Sequence, residues 1–350
     1  MIKSKIVIAT GGTGGHVFPA YSLMNILKKE YNLLLTTDKR GFSYLKNYQN
    51  INLIRIPSSP FIRKNILRFS FSIMIIFFSI IRSFILLLFF RPKIIIGTGG
   101  YSSFPICVAA IFLRIKFVIY ENNLVIGKAN KYLLPFAKKI FVSFEEVEGI
   151  SGKYKDKIVK IGNIVRSEII ESNINVKKKV DNFDELRVLV LGGSQAAKIF
   201  ADELPQIFEK IKNRKLNISV YQQCHKNQNE KLAQFYKKAK IDYKIFNFTD
   251  KIIDYYSKAN LVITRSGASV LGELINIKIP FIAIPLPSSA DNHQYKNAEF
   301  YQNRGYGFLL NEKDINSKLY DLICSMFDNK LLLTNILSNQ RQYSDKNIFK

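Results

Sequence analysis

The chain has 350 residues, enough for two α/β domains of ordinary size, because one hydrophobic core usually stops growing before this length. Its 52 Lys and Arg against 27 Asp and Glu leave a formal net charge of +25, which favours an anionic partner: nucleic acid, a phosphate-bearing substrate or an acidic membrane face. Cys107, Cys224 and Cys324 are far apart and lack C-x-x-C spacing, which argues against a disulfide framework or a zinc site.

The first apolar run, KIVIAT, ends in GGTGGHVFPA. It is not a basic region followed by an apolar stretch and a cleavage site, so the chain reads as not secreted. A strand that ends in glycines and feeds a helix presents backbone N–H groups and a helix N-terminus to an anion. The dinucleotide fingerprint does not fit, since Gly12-Thr13-Gly14 is followed by Gly15, His16 and then Val17 where a third glycine belongs. No Lys-Ser/Thr pair closes a Walker A loop.

Further strand-length runs follow in order: NLLLTT, KIIIGTGG, KFVIYE and KIFVSF, then RVLVLGGS, NISVYQQ, YKIFNF, NLVITRSG and PFIAIPL. Near-continuous Val/Ile/Leu runs separated by amphipathic stretches predict parallel sheets buried on both faces, in two doubly wound Rossmann-like lobes. The apolar pattern lapses between Gly162 and Glu185, and the boundary is placed to give domains 1–163 and 164–350.

Phe69 to Phe90 is apolar and long enough to span a bilayer as a helix. Arg63, Lys64 and Arg68 precede it, Arg91 and Lys93 follow it, and Arg82 sits near its middle, where hydrocarbon would make a charge costly. Three readings stand: a true span, a core helix, and an apolar helix with basic ends docked on a membrane surface.

Two more glycine bends follow strands, Gly97 to Pro105 and Gly192 to Ala197. Ligands of open α/β sheets bind beyond the carboxyl ends of strands, so the bends are expected to face one interlobe cleft. In the stretch Asn260 to Leu286, Arg265-Ser266-Gly267 precedes a helix predicted to begin near Ala268. Glu273 falls about a turn and a half inside it, where a carboxylate can accept hydrogen bonds from the vicinal hydroxyls of a ribose or compensate the helix dipole.

Taken together, GGTGGHVFPA, GTGGY, Glu121-Asn122, GNIVR, GGSQAA, RSGAS with Glu273, and DNHQYKNA span almost the whole chain. In this combination the sequence resembles the MurG family, the undecaprenyl-diphospho-muramoylpentapeptide N-acetylglucosaminyltransferases of glycosyltransferase family 28. The resemblance implies a GT-B fold and an inverting transfer of N-acetylglucosamine from UDP-GlcNAc to the C4 hydroxyl of lipid I, giving lipid II. It implies donor contacts at Ser194, at Thr249, at Gln294 and along the helix Ala268, Ser269, Val270, Leu271, Gly272 and Glu273. In the first domain it implies donor-side contacts at Thr13, Gly14, Gly15, Asn123 and Arg166, and an acceptor diphosphate at Gly99, Gly100 and Tyr101.

His16 and Glu121 are the alternative bases, and Glu121 is open equally as an orienting residue; an unperturbed imidazole, with a pKa of about 6.5, suits proton transfer near neutral pH. No cofactor and no metal are expected, because no His, Cys or carboxylate cluster has ligand spacing. The resemblance further implies a peripheral protein on the cytoplasmic face of the bacterial inner membrane, with an anionic lipid surface and other cell-wall synthesis or division proteins as partners. Four departures stand out: Tyr120-Glu121-Asn122-Asn123 where the family reads HEQN, Phe104 where it favours glycine, a family histidine replaced around YQQCHK, and a closing NQRQYSDKNIFK that is short for its last helix. His225 reads as surface and His293 as structural. A related UDP-sugar transferase or epimerase and a homologue that binds UDP-sugar without turnover remain open. Nucleic-acid binding is disfavoured, since no stacking motif or helix-turn-helix accompanies the dispersed charge.

Overall fold

Two parallel sheets organise the computed structural model, which describes residues 3–46, 48, 51–59, 66–171, 185–193 and 197–343. The chain divides into two compact units between Arg166 and Ser167. In the first, β1 (Lys5–Ala9), β2 (Asn32–Thr37), β3 (Leu53–Arg55), β4 (Ile94–Gly97), β5 (Phe117–Glu121), β6 (Lys139–Val142) and β7 (Ile158–Lys160) lie in the order β3-β2-β1-β4-β5-β6-β7. In the second, β8 (Glu185–Leu191), β9 (Asn217–Gln223), β10 (Asp242–Phe246), β11 (Leu261–Thr264), β12 (Phe281–Ala283) and β13 (Phe308–Leu309) lie in the order β10-β9-β8-β11-β12-β13.

Both sheets are covered on two faces, as the continuous apolar runs require. On one side of the first sheet Val7, Ile95, Ile119 and Ile140 join a core that includes Ile106, and on the other Ile8, Leu33 and Leu35 pack with Val17, Ala20 and Met24. Val188 and Val190 of the second sheet bury against Phe200, Leu204 and Phe208. The strands absent from the sequence reading, β3, β7 and β13, have three residues or fewer and sit at sheet edges, where few ladder bonds demand a long apolar run. PFIAIPL yields only the three residues Phe281–Ala283.

Each sheet has its topological switch where a strand pair leads into glycine-containing turns. β1 pairs with β4 with Ala9 opposite Gly97, so the bends after both strands emerge side by side. β8 pairs with β11 with Leu191 opposite Thr264, which sets Gly192-Gly193 beside Arg265-Ser266-Gly267. Ligand crevices of open α/β sheets form at such points.

Helices α1 (Gly14–Leu27), α2 (Lys39–Leu45), α3 (Ile66–Phe90), α4 (Ser103–Phe112) and α5 (Lys128–Leu133) belong to the first unit. Only one stripe of α3 is buried: Ser72, Ile76, Ser79, Ser83 and Leu87. Ser79 Oγ donates to the carbonyls of Pro57 and Ile75, both at 2.7 Å, so small hydroxyl side chains let the helix lie close to the chain after β3. Phe71, Met74, Phe77, Phe78, Ile81, Ile85 and Phe89 are exposed, as is Arg82. The core-helix reading therefore holds for one stripe of α3 and fails for the rest.

Candidate active site

The bends after β1 and β4 are built against each other. Gly99 and Gly100 have φ of 93° and 79°, and a Cβ on Gly100 would come within 2.4 Å of the Gly11 carbonyl oxygen. Ser102 Oγ donates to the Thr10 carbonyl at 2.6 Å and closes the junction. Just after β2, Asp38 Oδ1 accepts from Gly12 N at 3.1 Å and from Gly41 N at 2.8 Å, so one carboxylate caps α2 and braces the first bend. Sequence reasoning missed Asp38, although an Asp between a strand-length run and the start of a helix is an N-cap signal.

Thr13 caps the α1 N-terminus without a side-chain bond, and Gly14 and Gly15 form the first residues of the helix. His16 is half-buried in that turn. Its Nδ1 is 3.0 Å from the Thr98 carbonyl, and Thr98 Oγ1 donates to the His16 carbonyl at 3.2 Å. A carbonyl only accepts, so the ring bond requires the proton on Nδ1 and leaves the lone pair of the neutral imidazole on Nε2. Arg166 lies over the Phe18 ring on the same helix, 5.3 Å from its centroid.

Glu121, open as a base or an orienter, is fully engaged. Its side chain is buried, with Oε1 accepting from Asn123 N and Nδ2, both at 3.0 Å, and Oε2 from Gly127 N at 2.9 Å and Asn130 Nδ2 at 3.0 Å. Both oxygens are occupied and shielded, which suits a residue that orients its neighbours rather than a base. The next residue, Asn122, donates through Nδ2 to the Gly15 carbonyl at 2.8 Å and ties this network to the turn that carries His16. Tyr120 is buried too: its hydroxyl donates to the Gly162 carbonyl and accepts from Ile164 N. Phe104 packs edge to face on Tyr132, and Tyr101 is exposed.

In the second unit, the helix Ala268–Ile277 starts directly after the β11 turn, with Gly267 as its N-cap. Ser269 and Val270 are half-exposed, whereas Ala268, Leu271, Gly272 and Glu273 are buried. Glu273 Oε2 accepts from the Tyr256 hydroxyl at 3.0 Å, a partner the sequence did not suggest. No acidic residue lies in the first helical turn, so the dipole-compensation reading of Glu273 is set aside. Arg265 does not present its charge to a ligand: it donates to the Ile284 and Pro285 carbonyls, pairs with Glu312 and stacks over Phe200.

Gln294 Oε1 accepts from Leu286 N at 2.9 Å, and Thr249 Oγ1 accepts from Lys251 N at 3.0 Å. His293 Nδ1 is 2.7 Å from the Ala290 carbonyl, a local turn bond, and His225 is exposed. Ser194 lies outside the described residues. Among the described residues no group of three or more His, Cys, Asp or Glu is arranged to hold a metal.

Two Rossmann-like parallel sheets, each with glycine turns at its switch point, define the GT-B class of nucleotide-sugar enzymes. The fold matches the solved structure of Acinetobacter baumannii MurG with a TM-score of 0.76 at 23% identity, covering 98% of this chain and 95% of that one. A Staphylococcus aureus MnaA–UDP structure shares the fold more distantly, with a TM-score of 0.65 at 15% identity over 96% of this chain and 91% of that one. Residues 6–142 match the glycosyltransferase family 28 N-terminal domain and residues 187–348 its C-terminal domain. A Pelagibacter ubique protein named UDP-N-acetylglucosamine--N-acetylmuramyl-(pentapeptide) pyrophosphoryl-undecaprenol N-acetylglucosamine transferase is 37% identical over 94% of this chain and 91% of its own length. A Rickettsia felis protein of the same name is 38% identical over 96% and 94%. The chain belongs to glycosyltransferase family 28.

Proposed function

We propose that the protein transfers N-acetylglucosamine from UDP-GlcNAc to the C4 hydroxyl of the muramoyl sugar of lipid I, producing lipid II. The nearly full-length similarity to transferases named for that donor and acceptor supports the substrate pair. The observation that carries the chemistry is the hydrogen bond from His16 Nδ1 to Thr98, which leaves Nε2 as the ring's proton acceptor.

His16 takes the proton of the acceptor hydroxyl as its oxygen attacks the anomeric carbon of the donor sugar. The bond to the UDP oxygen breaks with its electron pair leaving on UDP, and one displacement inverts the anomeric centre. The N-terminus of the helix Ala268–Ile277 stabilises the diphosphate, and Glu273, oriented by Tyr256, accepts from the ribose hydroxyls. Ser194, Thr249 and Gln294 complete the donor set in the second unit, which we assign to UDP-GlcNAc. The first unit is assigned to acceptor and membrane: Gly99, Gly100 and Tyr101 beside the acceptor diphosphate, and Glu121 and Asn122 as positioning residues for the His16 turn. Thr13, Gly14 and Gly15 offer an anion site at the start of α1, with Arg166 adding a cation beside that helix.

The exposed apolar side of α3, with Arg68 and Arg91 at its ends, serves as the contact with an anionic membrane surface, making the protein peripheral on the cytoplasmic face. The test is transfer of labelled N-acetylglucosamine to a lipid I analogue, with vesicle co-sedimentation measured in parallel. Turnover with vesicle binding supports this reading, and UDP-GlcNAc binding without transfer to that acceptor contradicts it.

A further inference from the structure

A cavity of about 380 Å³ opens in the first unit between the glycine bends and α3. Gly12 and Tyr101 line one side, Ile75 of α3 lines another, and Lys39, Arg40 and Arg55 supply its cations. All three cations are exposed, and none has a hydrogen-bond or ion-pair partner for its charged group among the described residues. Among the described residues that line the cavity the one carboxylate, Asp38, is already engaged by Gly12 N, Gly41 N and Ser58 Oγ. Among the described lining residues, three cations against one carboxylate leave an excess of two positive charges, the complement of a pyrophosphate diester ionised on both phosphates.

We infer that Lys39, Arg40 and Arg55 form the side-chain half of a binding pocket for the pyrophosphate of the lipid-linked acceptor. The inference rests on the transferase reading above and names residues for one part of its acceptor. A pyrophosphate that joins a polyprenyl chain to a sugar lies between the apolar and the reacting parts of one molecule. The cavity has that arrangement. Ile75 connects it to the helix that exposes Phe71, Met74 and Phe78, and Gly12 and Tyr101 connect it to the bends around His16. Arg forks and a Lys ammonium donate charge-assisted hydrogen bonds to phosphate oxygens, whereas an apolar acceptor would leave three cations unused.

The test uses the full chain and a fluorescent acceptor analogue with a short, water-soluble prenyl chain and an intact pyrophosphate. Equilibrium binding is measured for Lys39→Gln, Arg55→Gln and the double variant, with Lys231→Gln on the second unit as a control of equal charge change. The dissociation constant for the analogue is expected to rise about tenfold for each pocket charge removed and to stay unchanged in the control. UDP-GlcNAc binding and partition onto phosphatidylglycerol vesicles are expected to stay unchanged. Analogue binding that is absent from the native chain or indifferent to the pocket variants overturns the inference. Vesicle partition lost in place of analogue binding also overturns it, by giving the pocket to a phospholipid headgroup. Native-chain turnover on the same analogue separately tests the transferase reading.

Discussion

His16 and Thr98 lie 82 positions apart in sequence, yet the ring Nδ1 of one meets the carbonyl of the other at 3.0 Å where the bends after β1 and β4 adjoin. The contact exists because the strand order places β1 and β4 side by side and because glycine at 99 leaves room for the imidazole. A Cβ there would stand 2.9 Å from Nδ1, on a backbone with φ of 93°. Gly99→Ala is expected to displace the ring and cut kcat by roughly 10²-fold or more, the scale of losing a positioned base. UDP-GlcNAc affinity should change little, and steady-state kinetics with donor titration check both.

Glu121 holds four donors, so its removal is expected to act on stability first. Glu121→Ala should lower unfolding stability by about 3 kcal/mol or more, because several buried N–H groups lose their acceptor together. Glu121→Gln turns an amide N–H toward existing donors and should also destabilise. Urea unfolding measures the loss, and the acidic limb of the kcat pH profile should survive in Glu121→Gln. A normal urea midpoint with that limb abolished would restore Glu121 as the base.

Phe77 and Phe78 are 59% and 61% exposed, so charges there should leave the fold intact. Phe77→Glu with Phe78→Glu is expected to abolish co-sedimentation with anionic vesicles while thermal unfolding is nearly unchanged. Ile75 is the poorer probe, since it is half-buried and lines the cationic cavity. Unchanged partition would remove the membrane role from α3.

The Tyr256 hydroxyl orients Glu273 at 3.0 Å. Loss of one such bond is worth about 1 kcal/mol, so Tyr256→Phe should raise the KM for UDP-GlcNAc roughly fivefold and leave kcat nearly unchanged. Donor titration at saturating acceptor reads the split. A fall in kcat alone would contradict a donor-binding role for Glu273.

Burial pushes the Cys107 thiol up to about 12 and the Cys224 thiol up to about 11, from an ordinary 9.0. With folded values above unfolded ones, their contribution to stability is full below the ordinary value and is lost as pH rises toward 11 and 12. Native protein near pH 8 should therefore label slowly with a thiol reagent compared with urea-unfolded protein. Cys224→Ser should weaken the decline in urea stability between pH 9 and about 11.

The long strands were legible because buried parallel strands need uninterrupted apolar runs, and the glycine bends were legible because few other residues fit a tight switch-point turn. Glu121 was legible as a base or an orienter, but its partners Gly127 and Asn130 were not, since they arrive from the following loop and α5. Arg265 was visible only as the residue before a helix N-terminus, because Glu312, which pairs with its guanidinium, lies far along the chain. The pocket of Lys39, Arg40 and Arg55 was hidden for the same reason: β2, the start of α2 and β3 come together only when the sheet is assembled. The α3 stretch was visible as apolar, but which stripe it buries depended on three serines spaced to face the protein.

The most direct test of the central claim is single-turnover transfer of radiolabelled N-acetylglucosamine from UDP to a lipid I analogue, comparing the native chain with His16→Ala. The account predicts measurable lipid II formation by the native chain, a rate lower by about 10²- to 10⁴-fold in the variant, and unchanged UDP-GlcNAc binding. Equal rates in the two proteins, or no product from a native chain that binds the donor, would contradict it.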